Sequence, residues 1–291
     1  MDSTESTRQA TSPDQTPRTA RLLGGVAVVT GAGGGGCGRA IALRCAAEGA
    51  AVVVCDVNEA GGEETVRLIC GQGGRAAFVR ADVREEAQVR ELLEFSVATF
   101  GGIRLLVNNA SGPFRPGEQA EYWASTVQTE LLGTLYGIRY AIDAMRDRGG
   151  GAIVNVSSIS ALWHGRRITT GVASAPYDAA KAAVIRLTTT LDWLMPQYGI
   201  RVNCLAPGWI ATDGPRQYWE SLTPVERRER GVPSVLLTPE QIAGAVLYLA
   251  TDESLVGRVL LWWSEDEPRL IRWGDRGYAG ADEIGWREPI L

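Results

Sequence analysis

The chain has 291 residues, 45% of them hydrophobic, with 29 Lys and Arg against 34 Asp and Glu and a formal net charge of −5. That length supports one large domain or two small ones with a substantial core, and the acidic balance argues against a nucleic-acid partner, which requires a basic face. No apolar run approaches the roughly 20 residues of a membrane span, so no membrane partner is expected.

Residues 1–20 are polar and rich in Ser, Thr, Asp and Gln. Without the apolar stretch of a secretory signal they read as a disordered tail. From 24 to 261, short β-branched runs alternate with longer helical stretches. Residues 25–30 (GVAVVT) read as a buried strand, followed by a glycine loop and a helix over 38–48. A second strand is expected at 51–55 with a helix at 59–70, a third strand at 76–80 with a helix at 85–100, and a fourth at 103–107 with helical pattern over 118–148. A fifth strand at 152–156, a long helix at 175–197, a sixth strand at 201–205, a helix at 240–250 and a seventh strand at 259–263 complete the series. Continuous apolar strands alternating with helices imply a parallel sheet covered on both faces, and right-handed crossovers make it doubly wound. The expected fold is α/β: a single Rossmann-type domain over 21–263, with a mainly parallel seven-stranded sheet and helices on both faces. An atypical extension follows at 264–291.

The loop Thr30-Gly31-Ala32-Gly33-Gly34-Gly35-Gly36-Cys37-Gly38 follows the first strand and opens the first helix. Glycines permit close backbone approach, and the helix N-terminus offers free N–H groups and partial positive charge to a pyrophosphate. Asp56 ends the second strand, 18 residues after Gly38, where a carboxylate can bond ribose hydroxyls. Its charge repels a 2′-phosphate, so NAD(H) is the expected cofactor.

Of the 29 basic residues, 28 are arginine and one, Lys181, is lysine; it lies in Tyr177-Asp178-Ala179-Ala180-Lys181. Lysine carries a compact, titratable charge that arginine cannot replace, and residues four apart share a helix face. At roughly 4.5 Å and an effective dielectric of about 20, its attraction to a phenolate is about 3–4 kcal/mol. That is about 2–3 pKa units, enough to move a tyrosine from about 10 toward 7, where it can act as general acid or base. Ser158, the second of a Ser-Ser pair after the fifth strand, is the candidate to hold and polarise a substrate oxygen. One histidine, His164, excludes multi-His metal sites, and the five cysteines (Cys37, Cys45, Cys55, Cys70, Cys204) contain no C-x-x-C pair. No metal is expected, and the cysteines read as buried apolar residues of a reducing cytoplasm.

Taken with Asp82-Val83, Asn108-Asn109-Ala110 and Pro207-Gly208 with Thr212, these motifs resemble, in their order, the short-chain dehydrogenase/reductase family over about 22–261. The resemblance implies hydride transfer between a nicotinamide cofactor and a small-molecule alcohol or ketone, with Tyr177 as acid/base. It places Gly31, Gly36 and Gly38 at the phosphates, Asp82 and Val83 beside the adenine, and Asn108 and Ala110 along the cleft. Lys181 and Tyr177 would meet the nicotinamide ribose, and Pro207 and Thr212 the nicotinamide end. It also implies a homodimer or homotetramer.

Three departures stand out. The glycine loop is one residue longer than the family pattern. Glu130 falls where the family usually has an asparagine anchoring a proton relay, and it joins Ser158, Tyr177 and Lys181 as a candidate catalytic residue. The 264–291 segment, with Trp273, Tyr278 and Trp286, is expected to pack over the cleft or a neighbouring subunit. Ser158 and Tyr177 lie 19 residues apart, longer than is usual, with the surplus in 163–174. Trp209, Tyr218 and Trp219 suggest a bulky or ring-containing substrate. Elimination or epimerisation on the same scaffold, and a nucleotide-binding regulator, remain alternatives.

Overall fold

The computed structural model describes residues 22–112, 120–162 and 175–274. The N-terminal tail, the 163–174 loop and the aromatic residues Tyr278 and Trp286 lie outside them. Seven apolar runs form strands: β1 (Val26–Thr30), β2 (Ala51–Asp56), β3 (Arg75–Arg80), β4 (Leu105–Asn108), β5 (Gly151–Val156), β6 (Ile200–Pro207) and β7 (Val259–Trp262). They pair in parallel in the order β3-β2-β1-β4-β5-β6-β7. The chain order reverses between β1 and β4, the switch point where ligands bind in open α/β sheets.

Side chains alternate across each strand. Ala27, Val29, Val52, Val54, Val107 and Val154 face one core, with Ile41, Ile69 and Ile242 from the helices. Val28, Val53, Leu106, Ile153 and Val202 face the other, with Leu92, Ile138 and Leu194. The covering helices are α1 (Cys37–Ala47), α2 (Glu59–Gly71), α3 (Glu86–Phe100), α4 (Ala120–Val127), α5 (Gly133–Arg146), α6 (Ala175–Thr189), α7 (Leu194–Tyr198), α8 (Asp213–Glu220), α9 (Pro224–Arg230) and α10 (Pro239–Thr251). A π-helical turn at Gln128–Leu132 joins α4 to α5. Each fully buried Ile or Leu in these faces contributes about 1.5–3 kcal/mol of apolar transfer energy. Among the described residues no helix is long and apolar enough to cross a membrane.

Two expectations are corrected. The sheet has eight strands, not seven: β8 (Arg269–Leu270) pairs antiparallel with β7, placing Leu270 opposite Leu260. The start of the C-terminal extension therefore caps the sheet edge, which would otherwise present unpaired backbone groups. The helix expected over 175–197 is two helices, α6 and α7. Pro196 cannot donate to the carbonyl of Asp192, and its ring crowds that carbonyl. The backbone turns between them instead, with Met195 N bonded to Asp192 O at 3.1 Å.

Candidate active site

The glycine loop is fastened at both ends. Gly31 has φ +69°, and a Cβ there would lie 2.7 Å from Ala110 Cα, so the loop lies directly against the end of β4. Gly38 is buried in the first turn of α1, where a Cβ would sit 2.1 Å from Gly31 O. The N-cap of α1 is Gly36, with no side-chain cap and no acidic residue in the first turn. By contrast α2, α9 and α10 are capped by Asn58, Thr223 and Thr238. The N–H groups opening α1 therefore remain free of side-chain acceptors, as an anion seat requires.

Asp56 closes this seat from β2. Its Oδ2 accepts from Gly33 N at 2.7 Å and its Oδ1 from Asn58 N at 2.9 Å. Asn58, not Asp56, caps α2. Each carboxylate oxygen retains a further acceptor site. The buried Thr65 hydroxyl donates to Ala32 O at 2.8 Å, and Arg39 Nε donates to Thr65 at 3.0 Å, bracing the loop from behind.

The other residues singled out from sequence distribute as follows. Val83, Asn108 and Ala110 line a narrow cleft with Thr30, Thr129, Gly133 and Thr134. Asp82 faces Arg84, whose guanidinium pairs with both carboxylate oxygens and holds that carboxyl below its ordinary range. Asn108 is buried and donates from Nδ2 to Asn155 Oδ1 at 2.8 Å; Asn155 in turn donates to Thr188 at 3.0 Å. The Asn108 amide nitrogen is thus committed to the sheet interior. Pro207 is buried at the end of β6, opposite Trp262. Thr212 starts the segment after β6 and meets the loop: a Cβ on Gly36 would lie 3.0 Å from Thr212 Cγ2.

Thr30 and Asn109 were missed from sequence. The Thr30 hydroxyl accepts from Asn109 N and Ala110 N, both at 3.1 Å, and Asn109 Nδ2 donates back to Thr30 O at 2.9 Å. This pair stitches β1 to β4 at the switch point. The residues lie 79 apart in sequence, and only strand adjacency reveals the link.

Ser158, Tyr177, Lys181 and Glu130 come together at the C-terminal end of β5. Lys181 Nζ donates to Val156 O at 2.8 Å and pairs with Glu130 Oε2 at 2.9 Å. It lies 5.6 Å from the centroid of the Tyr177 ring. Ser157 donates to Lys181 O at 2.8 Å, pinning α6 to β5. The Ser158 hydroxyl hydrogen-bonds Tyr177 and accepts from Ser160 N at 3.2 Å. Lys181 and Glu130 are 3% and 2% exposed, so their pairing is hardly screened by water.

The expected shift of Tyr177 toward neutrality does not hold. Burial, the largest influence, raises its hydroxyl above the ordinary value. Lys181 pulls the other way, Glu130 pushes upward, the Ser158 hydrogen bond lowers, and Asp178 raises. The sequence estimate counted one cation and left out both desolvation and the nearby carboxylate. For Lys181, burial lowers its affinity for a proton, but Glu130 and Tyr177 outweigh it and the net shift is upward.

After β6 the chain from Trp209 to Leu237 forms α8 and α9, closed at its base by the Ile210–Leu237 bridge. Trp209 stacks on Tyr218 with centroids 5.8 Å apart. Trp219 donates from Nε1 to Pro233 O at 2.9 Å, and Arg227 stacks on its ring at 3.3 Å. These contacts make Trp219 part of this segment's own packing, not a free substrate wall.

With that geometry in view, the comparisons are consistent. The sequence profile described as short chain dehydrogenase matches residues 25–222. Cyclohexanol dehydrogenase from Acinetobacter sp. is 34% identical over 237 residues, covering 79% of this chain and 88% of its own. (3R)-3-hydroxyacyl-CoA dehydrogenase from Mus musculus is 34% identical over 247 residues, covering 80% and 92%. The solved structure of a 7α-hydroxysteroid dehydrogenase complexed with NADH and 7-oxo glycochenodeoxycholic acid superposes with a TM-score of 0.74 at 28% identity, covering 84% of this chain and 95% of that one. With a doubly wound sheet, a glycine loop at its switch point and these relatives, the chain belongs to the short-chain dehydrogenase family.

Proposed function

We propose that this protein is an NAD(H)-dependent oxidoreductase that interconverts a secondary alcohol and a ketone. One observation carries the reading: a tyrosine, a serine and a buried lysine converge beside the switch point of a sheet whose first helix opens on an uncapped glycine loop. A nicotinamide dinucleotide supplies or accepts hydride when bound. The residues present fit such a group. The α1 N-terminus with Gly31, Gly36 and Gly38 would hold its phosphates. Asp56 would hold the adenosine ribose and disfavour a 2′-phosphate by like charge. Asp82 and Val83 would border the adenine, Asn108 and Ala110 the cleft, Lys181 and Tyr177 the second ribose, and Pro207 and Thr212 the nicotinamide.

Within this reading the protein's own groups divide the work. Ser158 donates to the substrate oxygen and orients it. Tyr177 gives its hydroxyl proton to that oxygen in reduction and takes it back in oxidation. Lys181 stabilises the phenolate left behind, with its ammonium held by Val156 O and Glu130. Relatives acting on cyclohexanol and hydroxysteroid substrates support a ring alcohol or ketone as the first class to try. An apolar groove lined by Trp123, Ala124, Val127, Pro176 and Ala179, on α4 and α6, supports self-association.

The test is the near-ultraviolet absorbance of the reduced nicotinamide, followed with cyclic ketones and alcohols and with NAD(H) and NADP(H) in parallel. Turnover with NAD(H) preferred is the expected result. Product without net absorbance change would move the reading to net-neutral chemistry. Dinucleotide binding with no turnover across the panel would move it to a regulator.

A further inference from the structure

Glu130 is the buried acid of this molecule that lies against the proposed chemistry, and it sits on the one irregular turn of its helix. The π-helical segment Gln128–Leu132 interrupts the passage from α4 to α5, and such turns re-aim side chains and recur at functional sites. Here it delivers a carboxylate with two distinct tasks. Oε1 accepts from Ser111 Oγ at 2.7 Å and from Gly112 N at 2.9 Å, fixing the turn that leaves β4. Oε2 meets Lys181 Nζ at 2.9 Å and has no other polar partner among the described residues. One side chain therefore ties the cleft-lining turn of β4 to the ammonium of α6.

The pairing has a consequence for charge. An unpaired ammonium would attract a phenolate strongly at this depth. Paired with a carboxylate, it presents the phenol with a compact dipole, and that attraction is weakened. The other groups facing Tyr177 do not restore it. Asp178 on α6 is acidic and Ser158 is neutral; Cys204 on β6, which lies near Lys181 and whose thiol burial pushes up to about 12, is neutral as well.

We propose that Glu130 is a positioning residue that shares the charge of Lys181, weakens its pull on the Tyr177 hydroxyl, and so favours the protonated tyrosine that carbonyl reduction needs. This deepens the reading above and rests on it for the word reduction, but the charge pairing can be tested without turnover. Lys181 is the only lysine in the chain, so isotopic labelling of lysine gives a single NMR signal that needs no assignment. In the parent protein that signal stays in its charged form beyond the ordinary lysine value of about 10.4. In Glu130→Gln it titrates at least about one unit lower. In kinetics, parent alcohol oxidation climbs with pH into the range above the ordinary tyrosine value of about 10, while ketone reduction is level through neutrality. Glu130→Gln moves the oxidation limb toward acid by about one unit, and Glu130→Asp, which keeps the charge, does not. A parent oxidation limb centred near neutrality overturns the proposal without any variant. So does a Lys181 signal that titrates alike in parent and Glu130→Gln. If the parent turns over no alcohol or ketone, the proposed function fails while the lysine titration still decides the pairing.

Discussion

Asp56 carries the choice of cofactor in this account. Both of its oxygens already receive backbone N–H groups from the loop and from the start of α2, so its position is set before any ligand arrives. Asp56→Asn removes the charge and one of these acceptors. Charge-assisted hydrogen bonds contribute about 1.5–3 kcal/mol, so NADH affinity falls about ten- to a hundredfold and the discrimination against NADPH narrows. Titrating both dinucleotides against the quenching of tryptophan fluorescence measures this. Unchanged NADH affinity would remove Asp56 from the site. At this scale the grouping of the candidate residues was legible before the geometry. Tyr177, Lys181 and Ser158 stood out by residue type and spacing and Glu130 by its departure from the family's asparagine, and the structure links them through Lys181 and Tyr177. What spacing does not carry is desolvation. The sign of the Tyr177 shift depends on how deeply the cluster is buried and on a carboxylate 47 residues upstream of the phenol, and neither is a local property.

Elements position these residues, and the join between β1 and α1 is the tightest. In a helix, alanine is ordinarily preferred to glycine by about 1 kcal/mol. At Gly38 the preference reverses, because the added methyl would meet the Gly31 carbonyl oxygen at 2.1 Å. Gly38→Ala must displace the loop or the helix, at a cost of about 1–3 kcal/mol for such overpacking. Its melting temperature falls and its dinucleotide affinity falls with it. A variant with higher stability and intact binding would mean that the loop is not held as described. The strands β1 to β7 were readable as β-branched runs because a parallel sheet buries both faces of each strand. The two-residue β8 carries no such pattern: Arg269 and Leu270, flanked by Pro268 and Ile271, pair only because β7 leaves an edge beside them. The break between α6 and α7 was not read from sequence, although Pro196 carries the signal for it. The α9 start was not read either; its signal is Thr223-Pro224-Val225-Glu226, a capping box with proline at the first helical position.

At the scale of the whole molecule, the sheet order places β1, β4 and β5 side by side. Three residue groups far apart in sequence thereby meet at the C-terminal ends of adjacent strands: the glycine loop, the turn after β4 held by Glu130, and the serine after β5. A ligand that binds across these elements stabilises the folded chain by linkage. NADH at about a hundredfold excess over its Kd adds about 2.7 kcal/mol, which for a protein of this size raises the melting temperature by roughly 5–10 °C. NADPH at the same concentration raises it less. Equal shifts for the two would contradict the role given to Asp56. The family and its sheet could be recognised from ordered motifs, because each motif sits at the end of a strand and strand order is fixed by right-handed crossovers. The Thr30–Asn109 stitch and the Ser111–Glu130–Lys181 bridge could not, because they join elements through side chains whose contacts exist only after the sheet has formed. The most direct test of the central claim compares the parent with Tyr177→Phe, measuring NADH binding and ketone-dependent NADH consumption on the same preparations. The account predicts that the variant still binds NADH, weakened only by the loss of one hydroxyl contact to the ribose, and that its rate is lower by about 10²–10⁴-fold. A Tyr177→Phe protein that consumes NADH at the parental rate would contradict it.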